Sequence, residues 1–90
     1  MNYNEIDSVD IRKCRQLAHV IVSTIQTQGK AEQAMAIGML VSAMSELGVD
    51  VPRLLSSSDN ALNHAKKVHP NETMALLMYI DNCIVGNGYP

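Results

Sequence analysis

The chain contains no tryptophan and no phenylalanine, and its only aromatics are Tyr3, Tyr79 and Tyr89. A core must then be built from Ala, Met, Ile, Leu and Val, side chains that suit helix-on-helix packing. Positive charge is also scarce: seven Lys and Arg against nine Asp and Glu leave a formal net charge of −2. The whole-chain electrostatic case for coating nucleic acid or an anionic membrane is thereby removed. No apolar run reaches the ~20 residues of a bilayer-spanning helix. The opening MNYNEIDSVDIRK carries acidic residues and no apolar stretch of signal-peptide kind, so a cytoplasmic protein is expected.

Groups that carry chemistry are equally sparse. The two cysteines, Cys14 and Cys83, have no metal-ligand or redox spacing. They read as buried thiols in a reducing compartment, with a Cys14–Cys83 disulfide as the less favoured alternative. His64 and His69 lie five apart, ~140° around a helix, and no carboxylate or thiol completes a zinc set. Ser57, Asp59 and His64 contain the residue types of a nucleophilic triad, but nearness in sequence does not supply triad geometry. The glycines at 29, 38, 48, 86 and 88 form no phosphate-cradling loop. Asn71-Glu72-Thr73 matches a glycosylation acceptor and reads better as a helix start. The expectation is a protein that is not an enzyme, with no catalytic residue, metal ligand or cofactor.

What is present is helical periodicity. Ninety residues make one domain, 1–90, with flexible ends at 1–6 and 87–90. Asp7 or Ser8 can cap a first helix over about 8–28, where Ile11, Cys14, Ala18, Ile21, Val22 and Ile25 recur at three and four and Leu17 widens the stripe. Gly29 stops it by taking a left-handed conformation. A second helix follows over 30–47, closed by Gly48, and the short connection predicts an antiparallel hairpin. Pro52 opens a third helix. Ser56-Ser57-Ser58-Asp59-Asn60 are poor helix formers, which favours a break there with a restart capped at Ser58. His69-Pro70 forces a boundary, and Asn71 can cap a last helix over about 72–85, ended by Gly86. The fold expected is all-α, a small bundle of four helices, or five with the break, beginning with an antiparallel helical hairpin.

The segment 34–47, AMAIGMLVSAMSEL, has almost no polar side, whereas a surface helix of a small protein buries a single stripe. Ala34, Gly38 and Ser42 fall at i, i+4 and i+8, a strip of small side chains where another backbone could approach closely. Met35, Met39 and Met44, with Met74 and Met78 of the last helix, are unbranched, polarizable side chains that adapt to partners. The apolar surface of these two helices exceeds what a monomer of this size needs to bury.

The expected function is therefore a small non-catalytic interaction module, a regulator or adaptor. It self-associates as a dimer and binds a protein partner through Ala34, Met35, Gly38, Met39, Ser42, Met74, Met78 and Tyr79. The alternative is a helix-turn-helix DNA-binding regulator over Ala43–Asn63. Gly48 would be its turn glycine and Leu54 the anchor of a recognition helix, with Arg53, Ser56, Ser57, Asn60, Lys66 and Lys67 as the nucleic-acid contacts. The basic residues Arg12, Lys13, Arg15 and His19 read as an outward, solvated face of the first helix. A third reading is a Met-lined pocket for an apolar small molecule.

Over about fifteen residues, Ile37-Gly38, Val41-Ser42, Met44, Gly48 and Val51 resemble the spacing in the small enterobacterial biofilm and acid-resistance regulators. That resemblance implies a helical dimer of similar length. The first helix departs from that family's pattern.

Overall fold

A computed structural model describes residues 1–86. These form five α-helices, α1 (Tyr3–Asp7), α2 (Ile11–Ile25), α3 (Lys30–Glu46), α4 (Val51–Val68) and α5 (Pro70–Ile80), the last running directly into a π-helical turn at Asp81–Val85. There is no strand among the described residues, and the protein is a small all-α helical bundle. The expected tail at 87–90 lies outside the described residues.

The helix starts follow the short oxygen side chains. Asn2 caps α1 by accepting from the backbone N–H groups of Asn4 (3.0 Å) and Glu5 (3.3 Å), so the lead expected over 1–6 contains a helix. Asp10, rather than Asp7 or Ser8, caps α2 by accepting from the Lys13 N–H at 3.2 Å. Asp50 caps α4 by accepting from the Arg53 N–H at 3.1 Å, with Pro52 in the first turn, where a missing N–H costs nothing. Pro70 opens α5 in the same way, and Asn71 makes no cap.

Two glycines close helices as expected. Gly48 (φ +94°) follows α3 and Gly86 (φ +79°) ends the π turn, both in the left-handed region that side chains avoid. Gly29 does not: at φ −62° and ψ 152° it is the extended residue before α3.

The break expected at Ser56–Ser58 is absent, and α4 is continuous. Two of its serines turn their hydroxyls to the helix or to a neighbour, Ser58 donating to the Leu54 carbonyl at 2.8 Å and Ser57 donating to Asp7 at 2.6 Å. Residues that compete with the backbone elsewhere are thus satisfied without leaving the helix.

The centre of the bundle is α4, which packs on all four other helices. Helix α2 lies against α4 and α5, while α3 is held by the π turn and by α4. Consecutive helices α2 and α3 are not among the principal packed pairs, so the expected opening hairpin is not where the packing lies. The apolar stripe of α2 is spent on α4 and α5 instead, and α3 is fixed by Gln33.

The buried set is thin. Among the described residues, Val22, Ala65 and Leu76 are the buried apolar ones, joined by Gln33, Ser57 and Thr73. The molecule is a slab of 41 × 33 × 19 Å with a radius of gyration of 13.8 Å, against about 12 Å for a compact domain of this length.

Candidate interaction surface

Helix α3 turns a narrow stripe inward. Gln33 is buried and Ile37, Val41 and Met44 are half-buried. The Gln33 amide donates to the carbonyls of Gln28 (2.8 Å) and Cys83 (3.2 Å), tying the start of α3 to the π turn. Its Oε1 is buried without a partner.

The rest of α3 faces outward. Met35, Met39 and Leu40 are 65%, 64% and 63% exposed, and Leu47 just beyond the helix is 86% exposed. Ala34, Gly38 and Ser42 lie on the same open side, and a Cβ built on Gly38 would meet nothing within 4 Å. Among the described residues, no other element closes on the strip at Gly38. Ala31, Glu32, Met35, Ala36 and Met39 outline an open hollow of about 410 Å³, which is a surface depression and not the closed Met-lined cavity of the third reading.

Helix α5 buries Thr73 and Leu76 and leaves Met74 and Met78 exposed one turn apart. Tyr79 is committed internally. Its hydroxyl donates to Gln26 Oε1 at 2.7 Å and lies 3.4 Å from the Val22 carbonyl, with its ring 5.8 Å from that of His19. Desolvation first, then the neighbouring Cys83, pushes its phenol up from the ordinary value, which keeps it a donor.

On α2, Ile11, Ala18 and Val22 face the bundle, while Leu17 and Ile21 are exposed. Cys14, expected buried, is an exposed free thiol, and Cys83 is a half-buried one. Arg15 and His19, expected outward, are half-buried instead. The stripe read from periodicity is rotated, because its Ile11/Ala18/Val22/Ile25 edge is turned inward and Cys14 and Ile21 are not. A groove of about 240 Å³ remains between α2 and α4, bordered by Cys14, Arg15, Ala18, Ala61 and Leu62.

The residues of the nucleic-acid alternative divide: Arg53, Ser57 and Asn60 share one face of α4, and Lys66 and Lys67 stand apart from it. Arg53 is ion-paired with Asp7 at 2.6 Å, its guanidinium lies 5.4 Å from the centre of the Tyr3 ring, and it also donates to the Ser57 hydroxyl. Ser57 is buried. Ser56, Asn60, Lys66 and Lys67 are exposed, but Lys66 lies thirteen residues beyond Arg53, about 20 Å along the helix. Among the described residues, no cluster of three His, Cys, Asp or Glu side chains could hold a metal ion, and no helix is long and apolar enough to cross a membrane.

Sequence reasoning missed two structural devices. One is Gln33, whose signal was its phase, since it falls at i of the i, i+4, i+8 series continued by Ile37 and Val41. The other is the Asp7–Arg53–Ser57 cluster, whose partners are 46 and 50 residues from Asp7 and left no local signal.

Fold and surface together define a small all-α protein whose second long helix is fixed along one edge and bare along the rest. No family model, curated protein or solved structure matches the chain. The resemblance noted over Ile37 to Val51 rests on those residues alone.

Proposed function

We propose that the protein is a non-catalytic interaction module of the cytoplasm, a small regulator or adaptor that self-associates and binds a protein partner through its Met-rich helices. The observation that carries this reading is the outer face of α3, with Met35, Met39 and Leu40 each nearly two-thirds exposed on a helix apolar around most of its circumference. Apolar surface of this extent on a small chain marks association.

The area supports a second copy as the first occupant. The chain exposes 6501 Å², whereas a compact monomer of 9.8 kDa exposes roughly 5,200 Å². The excess of about 1,300 Å² covers the ~800 Å² per partner of a stable interface. Twofold symmetry is the commonest closed arrangement. On such an axis Ala34, Gly38 and Ser42 would let two α3 helices approach closely, with Met35 and Met39 filling the gaps on either side.

Light scattering on Met39→Glu tests the assignment. The variant is expected to stay helical and to dissociate about a hundredfold more readily than the parent chain. Unchanged assembly would remove α3 from the interface.

A further inference from the structure

Helix α1 is fastened to α4 by a compact set of directed contacts. The Tyr3 hydroxyl accepts from the Asp50 backbone N–H at 2.8 Å, and the Tyr3 ring lies against the Arg53 guanidinium. Asp7 accepts from Arg53 Nη2 at 2.6 Å and from the Ser57 hydroxyl at 2.6 Å. Beside them Ile6 and Asp7, with Val9, Ile11, Ser57, Asn60 and Ala61, border a crevice of about 190 Å³. Tyr3 and Asp7 are i and i+4 on one face of a helical turn. Asp50, the N-cap of α4, and Arg53, Ser57 and Asn60 within it follow one another at spacings of three and four, which makes them a single face.

These contacts hold α1 loosely. None of its residues is buried, and five residues are too few to stand as a helix alone. The Asp7 and Arg53 side chains are 43% and 40% exposed, so their ion pair competes with water and contributes little. Ser8, Val9 and Asp10 link α1 to α2 outside either helix.

We propose that the face of α4 beneath α1 is a peptide-binding site, which α1 occupies as an intramolecular stand-in. Its partner is an acidic peptide segment carrying an aromatic ring four residues ahead of a carboxylate. The charge of Arg53 and the Asp50 N–H supply two separated points of recognition, and α1 shows the chemistry that fits them. A tethered segment competes at millimolar effective concentration, so the site accepts an outside peptide chiefly when α1 lets go. This surface is distinct from the outer face of α3, and neither proposal depends on the other.

The test uses the full chain and a fluorescent peptide of residues 1–9, followed by anisotropy. Asp7→Asn loosens the strap and leaves the α4 face intact, and is expected to bind the peptide about threefold more tightly than the parent chain. Adding Arg53→Ala to Asp7→Asn is expected to abolish that gain, as is Tyr3→Ala in the peptide, with circular dichroism checking that both protein variants keep their helices. Equal binding by Asp7→Asn and the parent chain would overturn the proposal. So would undiminished binding by the doubly substituted chain.

Discussion

Asp7 accepts from two side chains of another helix, Arg53 and Ser57. The hydrogen bond from Arg53, then that from Ser57, holds its carboxyl below the ordinary aspartate value. A carboxyl depressed in the folded state adds stability above its unfolded pKa, about 3.9, and that stability is lost as pH falls through the folded value. In a nuclear magnetic resonance titration the Asp7 carboxyl is expected to protonate below the ordinary range, with the α1 amides losing protection over the same interval. A midpoint at or above the ordinary range would contradict the ion pair.

Gln33 and Thr73 make opposite predictions at the buried positions. Gln33→Ala strips the Gln28 and Cys83 carbonyls of a shared donor and is expected to cost about 2 kcal/mol in urea unfolding. Thr73 is fully buried with its hydroxyl unpartnered. Thr73→Val keeps the shape and removes the unsatisfied group, so a gain of about 1 kcal/mol is expected. A loss in that variant would mean that the hydroxyl has a partner in solution.

Among the elements, α3 and α4 show where a sequence speaks and where it is silent. The bounds of α3 follow from its apolar run and from Gly48, and the structure keeps them within a residue. The course of α4 was misjudged at Ser56–Ser58, because propensity describes an isolated segment and not one whose hydroxyls find acceptors at Leu54 and Asp7. The stripe of α2 was visible, but periodicity cannot say which edge of a wide stripe meets a neighbour, and Cys14 and Arg15 exchanged roles for that reason. At Gly38 the two levels separate cleanly. With open space where a Cβ would stand, Gly38→Ala is expected to stabilise the single chain by about 1 kcal/mol, read under dissociating conditions. Gly38→Leu is expected to weaken assembly if the strip seats a second helix, and light scattering reads that separately.

For the molecule as a whole, the surplus of apolar surface was readable from composition and pattern, and its location on α3 follows from the packing. What the sequence did not disclose was the arrangement that creates it. Helix α4 takes the centre, α2 spends its stripe on α4 and α5, and α3 is left attached through Gln33, the π turn and an edge of α4. Tyr79, expected on the outside, was drawn into the α2–α5 junction by an acceptor on Gln26. Long-range pairings of this sort carry no local trace. The flat shape, the thin buried set and the bare α3 are one physical fact, a fold that stops short of enclosing itself.

Sedimentation equilibrium of the full chain across micromolar concentrations tests that conclusion most directly. The expected result is a species of twice the 9.8 kDa chain mass, reduced toward the single-chain mass by Met39→Glu. A folded chain that sediments at 9.8 kDa throughout and binds no dye specific for exposed apolar surface would contradict it.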